Sequence, residues 1–231
     1  EAEIYDVDQR PVNREIVIVS AAPMLVNKSG YRHFMEKEIH EQPDAISHTL
    51  SAMTSESGTI TAGLDESQLA AIQHIVILAA GTSFYAGQIG RYWIEQIAGI
   101  PVSVEVASEY RYRSPVTASY TTALLISQSG ESLDTMKAME FARDAGLTTM
   151  GVVNVPDSTI AREADIILPT RAGPEIGVAS TKAFTAQLTV LLSLAVALGQ
   201  QRGRLSVAEA DALHSQMMSL PGAVGQAISR F

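Results

Sequence analysis

Side chains that carry hydroxyl groups gather in two short segments, and each segment follows a run of apolar residues. The first is Gly81-Thr82-Ser83, after the run 75–79. The second is Ser127-Gln128-Ser129-Gly130-Glu131-Ser132, after the run 122–126. A helical pattern begins directly after each segment, and a helix start exposes unpaired N–H groups and about half a positive charge. The hydroxyl groups and the Gln128 amide add hydrogen-bond donors, so the second segment predicts a phosphate site.

Two interpretations of the segment 127–132 stay open at this point. Ser and Gly are also typical of an ordinary helix cap and turn. As a ligand site, four or five hydrogen bonds of about 1.5–3 kcal/mol each would hold a phosphate without Lys or Arg. The second hydroxyl-rich segment at 81–83 favours the ligand site. The sequence lacks the Gly-Lys-Ser/Thr and Gly-x-Gly-x-x-Gly patterns, so a small phosphorylated ligand is expected rather than a nucleotide.

A third segment, residues 173–182, is crowded with small residues and leads into a long helical pattern. Small residues permit a ligand to approach the backbone closely. The simpler interpretation is that Ser180 or Thr181 caps the helix and that Lys182 is a solvated residue of the first turn. Spacing alone does not separate these two interpretations.

The elements that position these segments are short apolar runs alternating with helical patterns. The runs cover 75–79, 102–106, 122–126, 149–153 and 166–168. Runs that are apolar at every position are typical of strands covered on both faces, as in a parallel sheet. The alternation predicts a three-layer, doubly wound α/β domain with a five-stranded parallel sheet, flavodoxin-like in type. Ligands of such sheets bind beyond the carboxyl ends of the strands, where the strand order reverses.

Helices are predicted over the connections between these runs and after the last of them. The expected ranges are 84–98, 108–112, 133–145, 157–163, 179–200 and 207–220, the last of them ended by Pro221-Gly222.

The N-terminal part of the chain carries a different pattern. Residues 1–20 alternate around a turn and predict a β-hairpin, with its second strand at 15–19, and residues 21–30 form a linker. A helical pattern over 31–50 contains Pro43, which must kink the helix or start a second one. Residues 51–64 are expected to be a loop. An isolated hairpin is marginally stable, so we expect this chain to be a fragment of a longer protein.

Composition excludes several classes of protein. The net charge is −9, which argues against a nucleic-acid binder because phosphate-backbone affinity depends on clustered Lys and Arg. The chain has no cysteine, so it holds no disulfide, thiolate zinc site or cysteine nucleophile. The five histidines are scattered, and no metal site is expected. The stretch 183–198 is interrupted by Thr, Gln and Ser, so we expect a buried helix rather than a membrane span, and a cytoplasmic protein.

Several motifs together resemble the glucosamine-6-phosphate synthase family, the isomerising glutamine–fructose-6-phosphate aminotransferases. The resemblance covers nearly the whole chain and rests on the segments 31–43, 79–83, 107–113, 127–132 and 175–184. The Ser-Gln-Ser-Gly-Glu motif alone is typical of any sugar isomerase (SIS) domain, whereas its combination with the Tyr-Arg-His and Gln-Pro segment at 31–43 is more specific. Two positions differ mildly: Ala80 stands where relatives often have Cys, and Ser132 where many have Thr.

The resemblance implies a layout and a set of site residues. Residues 1–20 would be the last glutaminase-domain strands, 21–30 the interdomain linker, 31–220 the first SIS domain with flanking helices, and 221–231 the connection to a second SIS module. In the family, phosphate is held by positions that match Ser127, Gln128, Ser129 and Ser132. Sugar hydroxyls meet positions that match Thr82 and Ser83 and the backbone near Val178; Gly81 and Ser180 complete the expected site.

The implied reaction transfers glutamine-derived ammonia to fructose 6-phosphate and isomerises the product to glucosamine 6-phosphate. The family's catalytic residues lie in the glutaminase domain and in the second module, so no catalytic residue, cofactor or metal is expected in this chain. The expected partners are the sugar phosphate, the two other parts of the parent chain and, by resemblance, a second copy in a homodimer. Neither nucleic acid nor a membrane is an expected partner.

Two other functions stay open. The chain could be a non-catalytic SIS sensor of sugar phosphates, although residues 1–60 lack the basic helix-turn-helix of a DNA-binding regulator. It could also be a purely scaffolding module, in which case the 127–132 segment is an ordinary cap. Titration with glucosamine 6-phosphate separates the scaffold, which would not bind it, from the other two.

Overall fold

The computed structural model describes residues 3–13 and 27–230. In the first of these ranges the chain reverses around Asp6, whose carboxylate accepts hydrogen bonds from the N–H groups of Asp8 and Arg10. Tyr5 and Pro11 form an isolated antiparallel bridge across this turn. The predicted strand 15–19 and most of the predicted linker lie outside the described residues.

The centre of the molecule is a parallel sheet of five strands. The strands are β1 (His74–Ala79), β2 (Val102–Val106), β3 (Thr121–Ser127), β4 (Thr148–Val153) and β5 (Ile166–Pro169). Their order in the sheet is β2-β1-β3-β4-β5, and every neighbouring pair is parallel. This is the flavodoxin-like order, so the predicted fold class is confirmed. Each predicted run coincides with a strand to within one residue at either end.

Helices precede, connect and follow the strands. They are α1 (Phe34–His40), α2 (Gln42–Met53), α3 (Glu66–Ala71), α4 (Gly81–Trp93), α5 (Ala107–Tyr110), α6 (Leu133–Asp144), α7 (Thr159–Glu163), α8 (Lys182–Gln201) and α9 (Val207–Ile228). A π-helical turn, Ile94–Ala98, continues α4. The predicted loop 51–64 begins only after Met53, and Thr54 and Ile60 pair across it.

Successive residues of the central strands pack on opposite faces of the sheet. On β1, Ile75 and Ile77 pack into the layer that contains α4 and α8, whereas Val76 and Leu78 pack against α5 and α6. The two layers follow from the pleat of a strand, which sends alternate side chains to opposite faces. Because both faces are covered, every residue of β3 is buried.

Helix α8 links the sheet to an outer layer formed by α2 and α9. It has the length and composition of a membrane span, but 72% of its most apolar stretch is buried inside the protein. Its inner side contributes Leu191 and Leu194 to the core beside the sheet, and Val196 packs with Leu50 and Met217. The prediction of a buried core helix is confirmed.

Two prolines show how packing decides where a helix ends. Pro43 lies in the first turn of α2, where it needs no hydrogen-bonded N–H, so of the two alternatives, a kink or a second helix, the structure shows the second helix. The predicted helix end at Pro221-Gly222 is wrong, because α9 runs through Pro221 to Ile228. Met217 and Val224, one turn to either side of Pro221, pack against the same apolar cluster. Burial on both sides therefore outweighs the hydrogen bond that Pro221 cannot donate.

Candidate functional site

The chain order reverses between β1 and β3, and both hydroxyl-rich segments lie at that point. From β1 the chain goes to β2 on one side and then returns to β3 on the other. Ala79 and Ile126 pair at the carboxyl ends of the two neighbouring strands. The segments that follow these ends are therefore neighbours at one edge of the sheet, which is where open α/β sheets bind their ligands.

The loop between β3 and α6, residues 127–132, uses its serine hydroxyls as acceptors within the loop. The Ser127 Oγ accepts a hydrogen bond from the N–H of Gly130 at 3.0 Å. The Ser129 Oγ accepts one from the N–H of Glu131 at 3.1 Å. A hydroxyl carries one proton in addition to its acceptor sites, so both groups keep a proton to donate to a ligand.

Ser132 is the N-cap residue of α6, yet its side chain makes no capping hydrogen bond. A capping serine normally accepts from an N–H group of the first turn. Because Ser132 makes no such bond, its hydroxyl and the N–H groups of the first turn of α6 can donate to a ligand, together with the hydroxyls of Ser127 and Ser129. The sequence pattern predicted this helix start, and in the structure Ser132 occupies the N-cap position without the capping bond.

Gly130 allows the β3–α6 loop to turn against α7. Its φ of +66° is a conformation that L side chains rarely adopt. A Cβ atom at this position would collide with the Oγ of Ser158. The Gly130 carbonyl also accepts a hydrogen bond from the N–H of Ile160 at 3.1 Å. The loop is thus packed against the Ser158 side chain, which leaves no space for a Cβ atom at residue 130, and it is bonded through its backbone to Ile160.

The residues of the 81–83 segment, after β1, differ in how far they are buried. Gly81 is exposed and Thr82 also lies at the surface, whereas Ser83 is buried. The Oγ of Ser83 accepts a hydrogen bond from the Nε2 of Gln187 at 3.0 Å, so its own proton stays available as a donor. The Oε1 of Gln187 is buried, and none of the described residues gives it a hydrogen-bond partner.

Gln187 is a residue that the sequence analysis did not assign to the site. It lies on α8, and it is buried among the apolar residues of that helix. The sequence did contain a signal for Gln187, since it is a polar residue within an apolar helix. A buried polar group of this kind needs a hydrogen-bond partner. Only the packing of α8 beside α4 shows that the partner is Ser83.

In the β5–α8 loop, residues 170–181, the start of α8 is capped by a different residue from those expected, Ser180 or Thr181. Thr181 is the N-cap residue but makes no side-chain capping bond. The carboxylate of Glu175 does this instead, accepting from the N–H groups of Thr181 at 2.9 Å and Ala183 at 3.2 Å. Ser180 donates its hydroxyl to the same carboxylate at 3.2 Å. A full negative charge is stabilised at a helix N-terminus more than a hydroxyl dipole is, which explains the exchange.

Lys182 is not the solvated residue that the simpler interpretation expected. Its side chain is buried, and its Nζ lies 2.6 Å from the Oε2 of Glu41. Glu41 also pairs with Lys37, at 3.4 Å. A buried charge is costly unless it is paired, so the position of Glu41 determines where Lys182 lies.

The acidic residue in the β3–α6 loop is bound away from the hydroxyl groups. The carboxylate of Glu131 accepts hydrogen bonds from the N–H and the hydroxyl of Thr159, at 2.7 Å and 2.9 Å. These bonds hold the pKa of Glu131 below the ordinary value of a glutamate. Glu131 is therefore anchored to the first residue of α7.

A cavity of about 630 Å³ lies at the opposite edge of the sheet, at the amino ends of the strands. Its lining includes Thr121 and Thr122 of β3, Thr148 of β4 and the uncharged loop 117–120. It lies away from both hydroxyl-rich loops, so it does not contribute to the predicted site. Within residues 3–13 and 27–230, no group of three or more His, Asp or Glu side chains could hold a metal ion.

The glutamates that follow the carboxyl ends of the strands, Glu109, Glu131 and Glu175, and the nearby Lys182 all have structural partners. Glu131, Glu175 and Lys182 are engaged as described above, and the Glu109 carboxylate accepts a hydrogen bond from Ser108 at 3.1 Å. Arg113, in the same part of the chain as Glu109, forms an ion pair with Glu105.

The sequence is similar to isomerising glutamine–fructose-6-phosphate aminotransferases from several bacteria. It is 46% identical over 228 residues to the enzyme of Zymomonas mobilis, which covers 98% of this chain and 38% of that protein. It is 47% identical over 231 residues to the enzyme of Bradyrhizobium diazoefficiens, covering 99% of this chain and 38% of that protein. The chain thus spans less than two fifths of the length of these relatives. The resemblance inferred from the motifs is confirmed.

Solved structures agree with this assignment. The C-terminal domain of the glucosamine-fructose-6-phosphate aminotransferase of Francisella tularensis superimposes with a TM-score of 0.82 at 39% identity, over 85% of this chain and 56% of that one. The glucosamine-6-phosphate deaminase of Thermotoga maritima has a TM-score of 0.62 at 19% identity, over 79% of this chain and 53% of that one; at this identity the likeness concerns the fold alone. The SIS domain family matches residues 68–197, more than half of the chain. With the parallel sheet and the two adjoining loops at its switch point, this match shows that the chain belongs to the SIS domain family.

Proposed function

We propose that this chain is the sugar-phosphate-binding module of an isomerising glutamine–fructose-6-phosphate aminotransferase. The single observation that carries the proposal is the meeting of the two hydroxyl-rich loops at the switch point, with hydroxyl protons left to donate. The ligand is fructose 6-phosphate or its product, glucosamine 6-phosphate. The relatives whose sequences match nearly the whole chain support this choice of substrate.

Ser127, Gln128, Ser129 and Ser132 bind the phosphate in this proposal. The N-terminus of α6 adds backbone N–H groups and the positive end of the helix dipole. Each such bond to a charged group contributes about 1.5–3 kcal/mol, so the set offsets the repulsion expected from a net charge of −9.

The sugar hydroxyls are bound by the segment after β1 and by the β5–α8 loop. Thr82 and Ser83 provide hydroxyl groups, and Gly81 leaves room for the ring beside the backbone. On the other side, the backbone near Val178 faces the ligand. Ser180 contributes indirectly, because its hydroxyl donates to Glu175 and thereby stabilises the loop.

This chain binds the substrate without transforming it. Isomerisation requires a base that moves a proton between neighbouring carbons, and the acidic residues near the site are held by other partners. We assign no catalytic residue, cofactor or metal to this chain. An assay of the chain alone on fructose 6-phosphate should detect neither amination nor isomerisation, and turnover would contradict this part of the proposal.

The layout proposed for the parent protein follows the relatives. Residues 1–20 are assigned to the end of a glutaminase domain, 21–30 to a linker, 31–220 to the first SIS domain and 221–231 to the connection to a second module. The last boundary falls inside helix α9, so that connection begins as a continuous helix. A cytoplasmic location stays a prediction.

A homodimer is part of the same proposal. Tyr85, Ile89 and Tyr92 are large, partly apolar side chains exposed at helical spacing on α4. Exposed patches of this kind are typical of contacts between protein surfaces. Sedimentation of the chain at several concentrations tests the prediction, and a monomer at all of them would contradict it.

Calorimetric titration of the 231-residue chain with glucosamine 6-phosphate tests the binding function. We expect saturable binding, and we expect glucosamine without its phosphate to bind far more weakly. A scaffolding module would bind neither compound. A crystal with the hexose phosphate bound away from the 127–132 loop would also contradict the proposal.

A further inference from the structure

A buried carboxylate from α1 holds the backbone of the β5–α8 loop. Glu38 is 2% exposed. Its Oε1 accepts hydrogen bonds from the N–H groups of Ile176 at 2.6 Å and Gly177 at 3.0 Å, and its Oε2 lies 3.2 Å from the same Gly177 nitrogen. Burial of an ionised carboxylate is costly, and donors of this kind are what makes it tolerable. The contact joins residues that are 138 and 139 positions apart in the sequence.

The contact leaves no space for a side chain at Gly177 unless the Glu38 carboxylate shifts. A Cβ atom added to Gly177 would lie 2.6 Å from the Oε2 of Glu38. Separations under 3.0 Å are not found for real Cβ atoms, so any side chain at this position would displace the carboxylate or the loop. The loop backbone and the Glu38 side chain therefore determine each other's position.

A second anchor lies at the far end of the same loop. Glu41, at the junction of α1 and α2, pairs with Lys182, the first residue of α8. The loop is thus held by the α1 region at residues 176–177 and again at residue 182. Between these anchors Val178 is fully exposed, at 105% of its reference area.

We propose that Glu38 is a positioning residue for sugar binding, which holds the backbone of Ile176 and Gly177 so that the main chain at Val178 faces the hexose. The inference rests on the proposed function, in which the backbone near Val178 contacts the sugar. A loop rich in small residues loses much conformational entropy when a ligand orders it. Because Glu38 holds the loop in place before the ligand binds, the entropy lost on ordering the loop does not weaken the affinity for the ligand.

This role differs from general stabilisation in one measurable respect. In the proposed function, inorganic phosphate contacts the 127–132 loop alone, because it lacks the sugar that reaches the β5–α8 loop. Loss of the Glu38 anchor should therefore weaken binding of the hexose phosphate and leave binding of inorganic phosphate unchanged. A general loss of stability would weaken both.

The experiment compares Glu38→Gln with Glu36→Gln in the 231-residue chain. Glu36 lies on the same helix and is exposed, so its replacement makes the same change of charge without touching the loop. We expect Glu38→Gln to weaken glucosamine 6-phosphate binding about tenfold, to change inorganic phosphate binding less than about twofold, and to accelerate amide hydrogen exchange at Ile176 and Gly177. The control should match the original chain in all three. Gly177→Ala, which displaces the carboxylate sterically, should reproduce the result and replaces Glu38→Gln if that variant does not fold.

Three outcomes would overturn the proposal. The first is unchanged hexose phosphate binding in Glu38→Gln. The second is an equal loss for both ligands, with faster exchange throughout the chain. In the third, the exchange at Ile176 and Gly177 is unaffected. Failure of the proposed function is distinguishable, because the unmodified chain would then not bind glucosamine 6-phosphate. In that case Glu38 could have no role in sugar binding, but the hydrogen-exchange measurement would still show whether Glu38 anchors the loop.

Discussion

Glu131, in the loop after β3, accepts two hydrogen bonds from Thr159, the first residue of α7: one from its N–H at 2.7 Å and one from its hydroxyl at 2.9 Å. The two residues are 28 positions apart in the sequence. The bonds bind the proposed phosphate loop to the start of α7, at the same edge of the sheet. Gly130 strengthens this junction through its contact with Ser158.

The Glu131–Thr159 pair predicts a dependence of stability on pH. The bonds from Thr159 lower the pKa of Glu131 below its ordinary value of 4.5. A lowered pKa means that the stabilisation is complete above pH 4.5 and is lost as the pH falls through the lower pKa of the folded state. Melting temperatures measured from neutral to acid pH should fall less steeply for Glu131→Gln than for the original chain. Glu56→Gln, which changes an exposed carboxyl in the 54–60 turn, is the control; if it flattened the curve equally, the assignment to Glu131 would be wrong.

Gly130→Ala should destabilise the protein more than Gly146→Ala does. Both glycines have positive φ, +66° and +78°, so each alanine costs about 1–2 kcal/mol of backbone strain. Only at Gly130 does the new Cβ atom meet a neighbour, Ser158, while Gly146 has open space. Overpacking adds about 1–3 kcal/mol at Gly130. Thermal or urea denaturation of both variants measures the difference, and equal losses would contradict the close packing of the loop against α7.

Ser129→Ala should weaken binding of glucosamine 6-phosphate by about 1–3 kcal/mol, because a hydroxyl donor to a charged phosphate is lost. This corresponds to an increase in Kd of roughly 5- to 150-fold. Calorimetric titration provides the measurement. Ser119→Ala, in the loop that lines the cavity at the opposite edge of the sheet, is the matched control and should leave Kd unchanged. A larger effect at Ser119 than at Ser129 would place the ligand at the wrong edge for the proposal.

The affinity for glucosamine 6-phosphate should depend only weakly on salt. The proposed donors are hydroxyl groups, an amide and backbone N–H groups, which act over short distances. The Debye length falls from about 30 Å to about 8 Å as salt rises from about 0.01 M to about 0.15 M, and long-range attraction falls with it. We expect Kd to change less than about threefold over this range. A steep loss of affinity would indicate that Lys or Arg side chains attract the phosphate.

Much of the fold could be predicted because it depends on local patterns. Runs such as 122–126, apolar at every position, require cover on both faces, and the strands occupy those positions to within one residue. For Pro43 the sequence predicts a kink or a second helix, and the structure shows the second helix, because a proline is tolerated at a helix start in any surroundings. The helix end predicted at Pro221 is wrong, since the cost of a proline inside a helix is local while the packing of Met217 and Val224 that outweighs it is not.

The sequence by itself determined the parallel sheet, the family and the two loops that carry hydroxyl groups, because strand burial and helix starts are set by neighbouring residues. Only the tertiary structure decided how those loops are held. Glu38, Glu41 and Gln187 find their partners at Gly177, Lys182 and Ser83, which are more than 100 positions away in the sequence. A carboxylate on an amphipathic helix has the same sequence pattern whether it faces water or a buried amide. The role of Glu38 depends on the fold, which brings the N–H of the distant Gly177 within hydrogen-bonding distance of its carboxylate. A local sequence pattern does not show which distant residues become neighbours.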